Sequence, residues 1–157
     1  MSAGIIALAA LGLAATPVAA TAGEVAIIVH QENTLRDVSF PELVKLFKQE
    51  RQFWQDGKRI YLLMRESGSA EKQVLLEKLY QMDELALKKF WLGKLYRGEI
   101  PALPKTLSSN EAVKQFVNQV PNAIGYIDAS FVDDGVKALR IDGKLPGEPG
   151  YVLSDSR

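Results

Sequence analysis

Three short apolar runs set the frame of this chain: Val25-Ala-Ile-Ile-Val29, Ile60-Tyr-Leu-Leu-Met64 and Ala123-Ile-Gly-Tyr-Ile127. Each is too short for a buried helix, carries no charge and lies between turn signals, as expected of strands buried on both faces. The stretches between them have helical periodicity. Ser39-Phe-Pro-Glu42 opens one helix with a capping serine, a proline suited to the first turn and an acid that completes a capping box. Leu43, Leu46 and Phe47 form its apolar stripe. A second helix follows Gly68 and buries Ala70, Val74, Leu75 and Leu79; a third starts at Asp83 and stops at Gly93. Ser108-x-x-Glu111 caps a fourth, whose Val113, Phe116, Val117 and Val120 fall at i, i+3, i+4 and i+7. Residues 136–141 read as a further strand. Strands alternating with helices imply an α/β domain with a mostly parallel sheet flanked by helices.

Residues 1–22 differ from the rest of the chain. They carry no charge before Glu24, are built from small and apolar residues, and end in Ala20-Thr21-Ala22, the small-x-small pattern of a signal-peptidase site. The expected organisation is a signal peptide over 1–22, an α/β domain over 23–143, and a turn-rich, loosely held tail over 144–157. With 157 residues there is room for one domain with a real core. Equal numbers of acidic and basic residues argue against a nucleic-acid surface. Cysteine is absent and His30 is the sole histidine, so thiolate chemistry and Cys/His metal sites are excluded. No nucleophile with its base and orienting partner can be assembled, which makes the expectation a non-enzymatic protein without cofactor or metal.

The chemistry-bearing stretch is Arg65-Glu-Ser-Gly-Ser-Ala70, at the junction of the second strand and the second helix. Ligands of such folds sit where strand ends meet helix N-termini. Gly68 lets the backbone turn tightly, Ser67 and Ser69 offer hydroxyls, the amide of Ala70 lies at the helix start, and Arg65 offers a planar two-pronged donor for an oxyanion. The same residues also make an ordinary helix cap beside a solvated arginine.

The stretch resembles the Arg-Ala-Asp-Gly-Ser-Gly-Thr loop of periplasmic phosphate-binding proteins of ABC importers. Leu43-Val-Lys-Leu-Phe47, then Phe53-Trp-Gln-Asp-Gly57 and Ile60, is similar to that family's helix, tryptophan turn and strand. Glu111 to Val120, then Pro121-Asn-Ala-Ile-Gly-Tyr126, is similar to its helix and Pro-Gly-Ala-Ile-Gly-Tyr segment. The resemblance implies a single lobe of a type 2 periplasmic-binding-protein fold. It gives Arg65 the role of the phosphate-contacting arginine, Ser69 that of an anion-holding serine and Gly68 that of the turn glycine. Ser67, Ala70 and Glu71 depart: the family has an aspartate, a glycine and a threonine there. A carboxylate about 6 Å from a monoanion would oppose it by about 0.7–2.8 kcal/mol, enough to cancel one charge-assisted hydrogen bond.

The function implied is exported, non-enzymatic binding of phosphate or another small oxyanion in the periplasm, linked to an ABC importer. The alternative is a ligand-free accessory or protein-interaction module of the envelope, for which Phe53, Trp54, Trp91, Tyr96 and Tyr151 could furnish a surface; core packing is the competing role for these aromatics, preferred for Trp91 and left open for Trp54. Neither reading involves nucleic acid, or a membrane span once the leader is removed.

Overall fold

The computed structural model describes residues 23–155; the expected leader lies outside the described residues. Five strands form one sheet in the order β4 (Lys105–Leu107), β3 (Tyr61–Arg65), β5 (Ala123–Asp128), β1 (Val25–Val29) and β6 (Lys137–Ala138). β4, β3 and β5 are parallel, and β1 runs antiparallel between β5 and β6, so four of the five point one way. A parallel pair, β2 (Asp37–Val38) and β7 (Arg140–Ile141), stands apart.

The two-residue period of a strand sends alternate side chains into two cores. Val25, Ile27 and Val29, Leu62 and Met64, and Ile124 and Tyr126 face α1 (Phe40–Phe47), α2 (Ala70–Leu75) and α3 (Glu84–Tyr96). Ala26, Ile28, Leu63, Ala123 and Ile127 face α4 (Asn110–Gln119) through Val113 and Val117. Gly125 belongs to that second face. A β carbon there would lie 2.7 Å from Val113 Cγ1, so only glycine lets α4 settle this closely on the sheet.

Several boundaries differ from the sequence reading. α3 runs through Gly93 to Tyr96 and ends at Arg97-Gly98, where Gly98 takes φ +70°. The cap of α4 is Ser109, whose hydroxyl accepts from Ala112 N, one residue after the expected Ser108. The strand expected over 136–141 is split at buried Leu139 into β6 and β7, which join different partners. β4, just after Pro104, escapes a sequence reading because its three residues have no apolar alternation and are held by pairing with β3. Ala70, expected inside, is exposed at the first turn of α2.

The tail is the largest correction. Expected to be loosely held, it packs under β1: Tyr151 and Leu153 are buried, Val25 N donates to Leu153 O, and the Tyr151 hydroxyl donates to Val25 O. Its glycine- and proline-rich composition reports turns, whereas its order comes from contacts with residues more than a hundred positions away. Residues 144–155 are thus part of the domain.

Candidate functional site

β3 and β5 are adjacent and parallel, so their carboxyl ends lie side by side at one edge of the sheet. Arg65 is the last residue of β3 and shares the parity of Leu63, which turns it toward the α4 face. The loop 66–69 then crosses to α2. Gly68 takes φ +86°, a conformation that favours glycine, and Ser69 caps α2 by accepting from Lys72 N at 3.2 Å. On the other side the N-terminus of α4 arrives next to the same point.

Between these two helix starts lies a buried polar triangle. Arg65 is 7% exposed and Glu71, at the second position of α2, is 9% exposed. Arg65 Nη1 lies 3.0 Å from Glu71 Oε2 and donates at 2.5 Å to Asn110 Oδ1. Asn110, first residue of α4, closes the triangle by donating through Nδ2 to Glu71 Oε1 at 2.8 Å. Its Oδ1 also accepts from Asp128 N, at the end of β5, at 3.1 Å. Arg65 Nη2 makes a long 3.5 Å contact with Ser108 O, and Arg65 N donates to the Tyr126 hydroxyl at 2.9 Å. Burial pushes the Tyr126 hydroxyl pKa upward, so it stays a neutral phenol. Arg65 Nε is buried without a hydrogen-bond partner.

The sequence predicts an Arg65 head presented to solvent or ligand; the structure instead buries it against Glu71. Ser67 and Ser69 form no hydrogen bond with it. The Ser67 hydroxyl donates to Glu84 Oε2 at 3.2 Å and receives Lys72 Nζ at 3.4 Å, while Lys72 Nζ also pairs with Glu84 at 2.9 Å. Two ion pairs therefore flank the 66–69 loop, Arg65–Glu71 buried and Lys72–Glu84 at the rim. A recess of about 430 Å³ opens beside the rim pair, lined by Ser67, Lys72, Glu84 and Trp91 among others. Another recess of about 430 Å³ lies elsewhere, with Arg36, Arg51 and Lys58 facing Glu32, Asp37 and Asp56 around Trp54.

Asn110 and Tyr126 complete the site, and the sequence singles out neither as a site residue. Tyr126 stands there only as the end of the Pro-Asn-Ala-Ile-Gly-Tyr segment. Asn110 carries no local signal, because its role depends on α4 meeting the end of β3, 45 residues earlier. Of the five aromatic residues that the alternative reading would place at a protein-binding surface, Trp91 is buried, as core packing requires, Trp54 and Tyr151 are buried too, and Phe53 and Tyr96 are exposed. The Trp54 indole donates to Asn122 O at 3.0 Å, and Arg59 lies over the Phe53 ring. Among the described residues, no group of three or more His, Asp or Glu could hold a metal ion, and no helix is long and apolar enough to cross a membrane.

No family model matches the chain. The phosphate-binding protein PstS of Bacillus subtilis is 31% identical over 126 residues, which cover 77% of this chain and 37% of that protein. A phosphate ABC transporter substrate-binding protein of Clostridium perfringens, solved with bound phosphate, superposes with a TM-score of 0.63 at 23% identity. It matches 79% of this chain and 47% of its own length. An ABC-type phosphate transport receptor of Vibrio cholerae gives a TM-score of 0.64 at 20% identity, over 79% and 48% of the two chains. The solved structures share the fold, and this chain spans half or less of each protein named.

Proposed function

We propose that this chain, a single-lobe relative of the phosphate-binding proteins of ABC importers, binds a small oxyanion at Arg65 without catalysing a reaction. Phosphate is the ligand that the relatives' names favour. The observation that carries the proposal is Arg65 itself. A guanidinium is kept out of water at a strand's carboxyl end, between two helix N-termini, with one N–H that the chain leaves unpartnered. Buried donors in folded proteins nearly always have an acceptor, so a buried arginine with a spare donor is suited to receive an external one. Gly68, Ser69 and the amide of Ala70 supply the helix-end side of the site. Ser67 contributes from the rim through its link to Glu84 and Lys72.

Binding is weak in this reading. The one lobe that these residues form does not by itself enclose the roughly 70–90% of ligand surface that tight sites bury. Two charge-assisted hydrogen bonds at about 1.5–3 kcal/mol each correspond to dissociation constants on the order of 0.05–5 mM. Export through residues 1–22, residence in the periplasm and action beside an importer are parts of the same proposal.

Isothermal titration of the purified chain with phosphate and sulfate tests it. Saturable uptake of phosphate, lost in Arg65→Lys, where the forked donor is gone, is the expected result. Absence of uptake for every oxyanion would favour the envelope-module alternative, in which Glu71 satisfies Arg65 permanently.

A further inference from the structure

We infer that the Glu71 carboxylate is a resident ligand of the anion site, standing on Arg65 in the free protein and displaced when an external oxyanion binds. The inference rests on the oxyanion reading and adds its regulation: affinity is set by competition with a group of the chain itself.

The carboxylate lies where an anion gains most, at the second position of α2, against the first residue of α4 and 3.0 Å from a buried guanidinium. Its partners are also incomplete. Only Nη1 of Arg65 contacts Glu71, Nη2 makes one long contact, and Nε has none. A pair built solely for stability would be expected to use the two-pronged fork of arginine, as bidentate carboxylate pairs do. Finally, Glu71 projects from the first turn of a helix, on a side chain with three rotatable bonds and an edge still open to water. It can leave without unfolding the strand that holds Arg65. The Asn110 Nδ2 freed in this way can donate to an incoming oxygen in the place Glu71 left, while Oδ1 keeps the bonds to Arg65 and Asp128 N.

A tethered competitor acts through the fraction of molecules in which the site is free, and apparent affinity falls by that fraction. If Glu71 occupies Arg65 in about 90–99% of molecules, its removal strengthens external binding about tenfold to hundredfold.

Replacing Glu71 by alanine removes the equivalent of one acetate, which makes acetate the matched probe. Acetate and phosphate should raise the melting temperature of Glu71→Ala, at ionic strength held constant with chloride. They should bind it at least about tenfold more tightly than wild type by calorimetry. Glu71→Gln, which keeps the volume but not the charge, should fold and show a smaller gain than Glu71→Ala. Arg65→Ala/Glu71→Ala should lose the response. The inference is overturned if Glu71→Ala binds acetate and phosphate no more tightly than wild type, or if the double variant responds equally. Failure of Glu71→Ala to fold even with acetate or phosphate present would also overturn it, since a resident ligand must be replaceable. Acetate uptake without phosphate uptake would keep the inference and sink the phosphate reading. Equal phosphate affinity in wild type and Glu71→Ala would do the reverse.

Discussion

The N-termini of α2 and α4 are near copies in sequence: Ser69-Ala-Glu71 and Ser109-Asn-Glu111, each with the serine as cap and the glutamate at the second helical position. Both caps accept from the amide three residues on. The glutamates have different fates. Glu111 is 63% exposed and pairs with Lys114 one turn later, whereas the Glu71 side chain is 11% exposed and meets Arg65 and Asn110. Local sequence prescribes the cap in both places. What the acid does is decided by what the rest of the fold brings to it: solvent at one start, the last residue of β3 at the other.

That difference sets the scale of what substitutions should do. Glu71→Ala should cost about 3–5 kcal/mol of unfolding free energy in urea without added anion, because it strands a buried guanidinium. Glu111→Ala should cost at most about 1 kcal/mol, the value of an exposed pair at a helix end. Equal losses would dissolve the comparison. Asn110→Ala should come next, at about 1–3 kcal/mol, since it leaves Glu71 Oε1 and Asp128 N without their partner. Ser69→Ala and Ser109→Ala should each cost about 1 kcal/mol and differ little, as the two caps are alike in geometry. Glu84→Gln should cost the least, about 0.2–1 kcal/mol, because the Lys72–Glu84 pair sits at the rim. A loss at Glu84 as large as that at Glu71 would mean that both pairs form one buried network.

The parts legible in the sequence are those written locally. β1, β3 and β5 show as the apolar runs of residues 25–29, 60–64 and 123–127, within a residue of the strands observed, and the helix starts at Ser39, Ser69 and Asp83 show as caps. The junction at Arg65 is legible too, since strand, glycine and capping serine are consecutive. Its state is not. Nothing near residue 65 announces that residue 110 closes over it, and a carboxylate at 71 reads as opposing an anion until its own partner is seen. The tail misleads for the same reason, as the order of Tyr151 is owed to β1 at the far end of the chain.

The central claim is that Arg65 is an anion site held in the free protein by Glu71. It is tested most directly by following the Arg65 Nε–H resonance and the Glu71 side-chain carboxyl carbon by NMR during a phosphate titration of wild type. One saturable transition with a common midpoint is predicted, as Nε gains an acceptor and Glu71 leaves. An unmoved Glu71 carboxyl signal at saturating phosphate, or an Arg65 Nε–H that never responds, would contradict it.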